Sequence, residues 1–121
     1  MSLGESVERE FKSDRGQGIN DKTVYEEIVA LANTDGGVLL IGVEDDGQVT
    51  GAKPRHGEVT EPRKLQSAIF NNTVPNINTR ISVVSHEDGN VLCIEVDSYP
   101  EPCATASGKS RAAYSHLKCS M

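Results

Sequence analysis

Three consecutive carboxylates, Glu44-Asp45-Asp46, follow an apolar run and precede Gly47. Clustered carboxylates can hold a hard divalent cation such as Mg²⁺ or Mn²⁺, which can then activate water against a phosphodiester. The same residues also fit the tip of a β-hairpin, because Asp-Gly is a strong signal for a two-residue turn. The pattern favours the turn for the three residues together and leaves Asp45 as the member that a site could recruit.

Basic residues in several positions could contact phosphate next to such acids. They lie on a predicted strand face, in loops or at helix starts, and they are Lys12, Arg15, Lys22, Arg55, Arg63 and Lys64. The alternative for Lys12 is an ion pair with Glu8 or Glu10 on its own strand face. The alternative for the others is a solvated surface charge.

The charge of the chain is acidic but unevenly distributed. Residues 1–50 carry four Lys or Arg against eleven Asp or Glu (−7), and residues 51–121 carry eight against seven (+1), which gives the net −6. Phosphate contacts need cations, so overall acidity argues against nonspecific binding of polyanions and requires any basic patch to be local. Three cysteines cannot all pair, which favours free thiols in a reducing cytoplasm. No apolar run is long enough to span a bilayer, so no membrane partner is expected.

Two possible signatures, a Walker A phosphate loop and a zinc site, lack the residue spacing that such sites require. The segment "ASGKSR" ends like a Walker A loop, but the position five before Gly108 is Cys103 rather than glycine. Cys93, Cys103, His116 and Cys119 lack the closely spaced cysteine pair that is usual in structural zinc sites. Neither a phosphate loop nor a zinc site is predicted.

The first half of the chain predicts two strands and a helix. Alternation over 7–12 predicts a strand, and apolar spacing predicts a helix from about Thr23, with Thr23 and Glu26 as a capping box. The wholly apolar run over 38–43 predicts a central strand buried on both faces. After the Asp-Gly turn, residues 48–53 are expected to return beside it as a further strand.

The second half predicts a helix and a hairpin. The helix begins near Pro62 and ends before Pro75, and strands over 79–87 and 90–99 flank an Asp-Gly turn. The predicted fold is therefore α+β, a mixed β-sheet with two helices on one face in the order β-α-β-β-α-β-β. Its length corresponds to a single domain, residues 1–121.

Several segments together resemble the Schlafen-type AlbA-like domain. They are "ESVEREFK", "IVALANTDGGVLLIGVEDDGQVTG" and "VLCIEVDSYPEP", and the resemblance covers residues 5 to about 102. The structural motif residues are Asn33, Gly36, Gly37 and Gly42. Family members tend to be longer, so the chain is expected to be an N-terminal fragment. The tail departs from the family pattern, because Arg111 and Tyr114 lack the usual spacing of the closing strand.

The resemblance implies function at several levels. Such domains occur in proteins named as transcriptional regulators or as divergent AAA or ATP-binding proteins, and they are treated as modules that bind DNA or RNA. In some Schlafen proteins the domain cleaves structured RNA with a divalent metal, and the matching acids here are Glu5, Glu10 and Asp45. Glu5 and Glu10 would face opposite sides of one continuous strand, so their convergence requires a turn near Ser6. A nucleotide-binding or protein-interaction module, including a homodimer, is the third hypothesis.

Gly42 interrupts the otherwise bulky central strand. Glycine inside a strand indicates a close approach by backbone or ligand, or a bulge. Close packing of the helix that contains Ile28 and Leu31 is the favoured explanation, and space for a ligand on the sheet is the alternative.

Overall fold

The computed structural model describes residues 8–55 and 60–106. Its elements in chain order are β1 (Glu8–Lys12), α1 (Asp21–Ala32), β2 (Gly36–Ile41), α2 (Pro62–Asn71), β3 (Thr73–Val74), β4 (Arg80–His86), β5 (Gly89–Asp97) and β6 (Ala104–Thr105). Neither α1 nor α2, the helices of the described part, is long and apolar enough to cross a membrane.

The main sheet has four strands in the order β1-β2-β5-β4. Strand β1 runs parallel to β2, whereas β5 is antiparallel to both β2 and β4. The short strands β3 and β6 form a separate two-stranded sheet. The α+β class and the mixed sheet are thus confirmed, and β2 lies between two partners as predicted. Burial on both faces is not found, because Val38 and Leu40 are only half-buried.

The core lies between the main sheet and the two helices. Its side chains include Val24, Ile28 and Leu31 of α1, Leu65 and Ile69 of α2, Leu39 and Ile41 of β2, and Leu92 and Ile94 of β5. The strand residues of this set alternate along the chain, so they belong to one face of the sheet, and both helices cover that face.

Helix α1 begins two residues earlier than the predicted Thr23. Asn20 is its N-cap, and the side-chain oxygen of Asn20 accepts the backbone N–H of Thr23 at 2.8 Å. Asn is among the best N-cap residues, and this cap places Thr23 inside the first turn. The predicted capping box of Thr23 and Glu26 is therefore wrong.

Residues 48–53 do not form the predicted strand. The turn itself is present, because Gly47 N–H donates to Glu44 O at 2.8 Å, but pairing beyond it is limited to a single bridge between Val43 and Val49. The chain then turns toward β5, where the N–H of Ala52 donates to Asn90 O at 2.8 Å. The second hairpin is confirmed, with its turn at Glu87-Asp88, one residue earlier than predicted.

Gly42 is where this returning segment meets the sheet. Its φ is +100°, and a Cβ built there would lie 2.6 Å from the backbone N of Ala52 and 3.0 Å from Asn90 O. The close approach is therefore made by loop backbone and β5, not by helix α1 as predicted. Helix α1 instead approaches Gly37, where a Cβ would lie 3.0 Å from Leu31 Cδ2.

Candidate nucleic-acid interface

Two loops meet at one edge of the main sheet. Because β1 and β2 are parallel, their carboxyl ends lie at the same edge. The loop over 13–20 follows β1, and the turn that begins at Gly42 follows β2. A hydrogen bond from Gly42 N–H to Lys12 O, 2.9 Å long, joins the two strand ends.

Asp14 is the centre of the first loop. Its carboxylate is buried and accepts the backbone N–H of Ile19 at 2.8 Å and that of Lys53 at 2.7 Å. Arg55 Nη2 donates to the same carboxylate at 3.2 Å and to Ile19 O at 2.7 Å. These three donors offset the cost of burying the carboxylate.

Arg55 is therefore committed to internal contacts. Its side chain is buried, and Nη1 forms a second ion pair with Asp21 at 3.1 Å. Its backbone N–H also donates to Thr60 Oγ1 at 2.9 Å, which ties the start of the α2 segment to the same centre. The sequence predicts Arg55 as a phosphate contact. In the structure, Arg55 instead joins the loops through its buried contacts.

Five exposed cations lie in or next to the segments that this buried pair joins. The sequence had named four of them, Arg15, Lys22, Arg63 and Lys64, and all four are exposed. Lys53 is exposed as well and was missed, although its place in the loop "AKPR" beside Arg55 was a signal for it. Its ammonium donates to the carbonyl of Gly16, which holds it against the first loop. Two of the five lie in loops, and the other three lie in the first turns of α1 and α2. We call Arg15, Lys22, Lys53, Arg63 and Lys64 the loop cations.

The three consecutive carboxylates have different surroundings. Glu44 accepts Thr50 Oγ1 at 2.6 Å, and the hydrogen bonds from Thr50 and then Ser13 hold the pKa of Glu44 below its usual range. The carboxylate of Asp46 accepts the N–H of Gln48 at 2.9 Å and so closes the turn. Asp45 is exposed.

Glu10 and Lys12 lie on the helix-covered face of β1. Their register partners are Leu39 and Ile41, which are core residues. Lys12 Nζ lies 3.5 Å from the Oε2 of Glu27, a buried residue of α1. Lys12 thus pairs across to the helix and not with its strand neighbours, and Glu10 is half-buried two residues before it.

The residues that the resemblance assigns to metal-dependent cleavage are only partly described. Glu5 lies outside the described residues, whereas Glu10 and Asp45 lie within them. Over 8–55 and 60–106, no group of three or more His, Cys, Asp and Glu side chains could hold a metal ion.

Asn33 fixes the end of α1 to the last described strand. Its Nδ2 donates to Cys103 O at 3.0 Å, and its Oδ1 accepts the N–H of Cys103 at 2.7 Å. Gly36 follows with φ +81°, and a Cβ there would lie 2.8 Å from Val96 O. The Asn-x-x-Gly-Gly motif therefore has a structural role.

The architecture defines a small α+β domain with basic side chains on two loops and on the first turns of both helices. The family described as Schlafen, AlbA_2 matches residues 5–116, and the chain belongs to this family. The resemblance found in the sequence is thereby confirmed. No protein of curated function matches the chain significantly.

Two solved structures share the fold. The DIP2311 protein from Corynebacterium diphtheriae has 24% sequence identity and a TM-score of 0.63, and the match covers 82% of this chain and 19% of that one. The chain therefore spans less than a fifth of the DIP2311 protein. The N-terminal domain of the "Putative ATP-dependent DNA Helicase RecG-related Protein" from Nitrosomonas europaea has 24% identity and a TM-score of 0.55, covering 93% of this chain and 82% of that one. At these identities the likeness shows the fold alone.

Proposed function

We propose that this chain is a nucleic-acid-binding domain that contacts the phosphate backbone through its loop cations. The observation that carries the proposal is the buried pair of Asp14 and Arg55, which joins the two loops and the approach to α2. Five exposed cations extend from the segments joined in this way. Exposed cations on one folded surface can contact several phosphates of a nucleic-acid backbone.

The pairing also keeps the Asp14 carboxylate away from an anionic ligand. Asp14 and Asp21 are two of the acids that make the first half of the chain negative, and both pair with Arg55. Arg55 offsets one of these two negative charges and Asp14 is buried, whereas the side chain of Asp21 is 36% exposed, so one negative charge of the group remains near the surface. The net charge of −6 is still compatible with a local basic patch.

The comparisons support a nucleic-acid partner at a coarse level. The family is the one that the sequence resemblance links to DNA or RNA binding, and one solved relative is named for a DNA helicase. The finer part of the proposal is that this binding serves a transcriptional regulator in the cytoplasm.

The test is a titration of the folded chain with labelled single-stranded and duplex oligonucleotides at low and moderate salt. We expect binding that weakens with salt and that is further weakened by Arg15→Gln combined with Lys22→Gln. Arg9 offers a matched control, because it is an exposed cation of β1 whose register partner is Val38, on the sheet face away from the helices. Equal losses in Arg9→Gln and in the loop variant would reject the proposed surface.

Metal-dependent cleavage of RNA is the second candidate function. Glu10 favours it, because this carboxylate is half-buried on the same face as the pair of Lys12 and Glu27. We expect a nuclease to cleave structured RNA with Mg²⁺ or Mn²⁺ and to lose cleavage, but not binding, in Glu10→Gln. Binding without cleavage by the unmodified chain would assign it to the first function alone.

A further inference from the structure

The exposed side of α2 carries a cleft apart from the loop cations. The cleft has a volume of about 220 Å³ and is lined by Gln66, Ser67, Phe70, Asn71 and Asn78. Phe70 is 38% exposed, although an aromatic ring is a side chain that folding usually buries. Its lining thus combines one aromatic ring with amide and hydroxyl groups.

Most of these polar groups are not used inside the domain. The side chains of Ser67, Asn71 and Asn78 make no hydrogen bond to any described residue. Gln66 uses its Nε2 to donate to Thr79 O at 2.9 Å, which leaves its side-chain oxygen as an acceptor. Amide groups present donors and acceptors together, which is the pattern needed to bind the edge of a nucleobase.

The cleft lies on the same helix as two of the loop cations. Arg63 and Phe70 are seven residues apart, so they share one face of α2 and are separated by roughly 10 Å along its axis. A phosphate contact and an aromatic platform therefore follow each other on one rigid element. Proteins that bind single strands combine these two features, since phosphates meet cations and bases stack on aromatic rings.

We propose that this cleft binds a base of a single-stranded nucleic acid, with the base stacked on Phe70 and its edge against Asn71 and Asn78. The inference rests on the proposed function and specifies its ligand. A base inside a duplex already has both faces covered by its neighbours, so the cleft selects strands whose bases are unstacked.

Val74 distinguishes a nucleobase from a protein as the partner of this cleft. It is an apolar residue close to the C-terminal end of α2 and is 58% exposed. A protein docking through hydrophobic contact would cover Phe70 and Val74 together. A nucleobase needs the aromatic ring and gains no stacking from an aliphatic side chain.

The chain contains no tryptophan, which makes a direct test available. Phe70→Trp places a single tryptophan in the cleft, where it can be excited apart from the three tyrosines, and Val74→Trp places it four residues further on as the control. We expect single-stranded oligonucleotide to quench the fluorescence of the first variant strongly and that of the second weakly. An oligonucleotide of equal length with abasic sites keeps its phosphates and should not quench.

Affinity measurements provide the second readout. Phe70→Ala and Phe70→Leu should each weaken single-strand binding by about 5- to 150-fold, the loss expected for one stacked base, whereas Val74→Ala should not. Circular dichroism confirms that each variant is folded.

The outcomes separate the two proposals. Salt-sensitive binding that is unchanged in Phe70→Ala, without quenching in Phe70→Trp, overturns the cleft as a base site and leaves the proposed function in place. An equal loss in Val74→Ala overturns it in favour of a hydrophobic partner surface. No binding by the unmodified chain at low salt overturns the proposed function and this inference with it.

Discussion

Arg55 Nη2 lies 3.2 Å from Asp14 Oδ1, and the two side chains are 8% and 1% exposed. The residues are 41 positions apart in the sequence. The contact joins the loop after β1 to the segment that follows the β2 turn. It thereby holds the segments that carry Arg15 and Lys53 against each other.

Removal of the Asp14 carboxylate should destabilise the domain strongly. Asp14→Ala removes the buried partner of Arg55 and leaves it the pair with Asp21, whose side chain is 36% exposed. Breaking a buried ion pair in this way typically costs about 3–5 kcal/mol of unfolding free energy. The backbone N–H groups of Ile19 and Lys53 lose their acceptor as well. Urea denaturation followed by circular dichroism measures the change.

Asp45→Ala is the matched control for Asp14→Ala. Asp45 is exposed, so its removal should change the unfolding free energy by no more than about 0.5 kcal/mol. Equal effects of the two substitutions would show that the buried pair does not stabilise the loops.

Gly42→Val should be destabilising despite the better strand propensity of valine. The side chain would meet the backbone N of Ala52 at 2.6 Å, and φ is +100° at this position. Overpacking costs about 1–3 kcal/mol, and a left-handed conformation adds about 1–2 kcal/mol. Equilibrium denaturation of the variant and the unmodified chain gives the difference.

A substitution at Gly47 distinguishes the cost of the left-handed conformation from the cost of overpacking. Gly47 has φ +90°, but a Cβ there would meet nothing within 4 Å. Gly47→Ala therefore reports the conformational cost alone, and Gly42→Ala should cost more. If the two alanine variants are equally stable, the backbone contact at Gly42 is not the cause.

The pKa values of Asp97 and Glu44 should each depend on that carboxylate's own hydrogen-bond partners. Arg80 forms two hydrogen bonds to Asp97, at 3.2 and 3.1 Å, and these bonds hold the pKa of Asp97 below its ordinary 3.8. A lowered pKa in the folded state means that this contribution to stability is present above pH 3.8 and is lost as pH falls through the folded pKa.

Carboxyl titration by NMR checks this prediction. Arg80→Gln should raise the pKa of Asp97 without changing that of Glu44, and Thr50→Val should raise the pKa of Glu44 without changing that of Asp97. Unchanged Asp97 titration in Arg80→Gln would contradict the assigned cause.

Prediction from the sequence succeeded where local pattern and tertiary environment agree. The apolar run that became β2 has no polar face, so a central position is its only favourable place. The strand predicted over 48–53 is absent, because after one bridge the backbone N–H groups of this segment donate hydrogen bonds to Gly42 and Asn90. No local periodicity shows these contacts. Strands β3 and β6 have two residues each, too few for an alternating pattern.

The candidate site was only partly visible for a related reason. Exposed cations such as Arg15 and Arg63 can be named from their loop or helix-start positions. The burial of Arg55 depends on Asp14, far away in the sequence, so it required the fold. Phe70 lies off the apolar face that Leu65 and Ile69 form, but no local pattern shows that it borders a cleft with Asn78.

The salt dependence of single-strand binding tests the central claim most directly. The observed binding constant of the unmodified chain, plotted against salt concentration on logarithmic axes, should fall with a slope of about −0.7 for each phosphate contacted. Arg63→Gln combined with Lys64→Gln should make the slope shallower by about 0.7 for each lost contact, and Arg9→Gln should leave it unchanged. Absence of binding at low salt by the folded chain, or a slope that these loop substitutions do not alter, would contradict the claim.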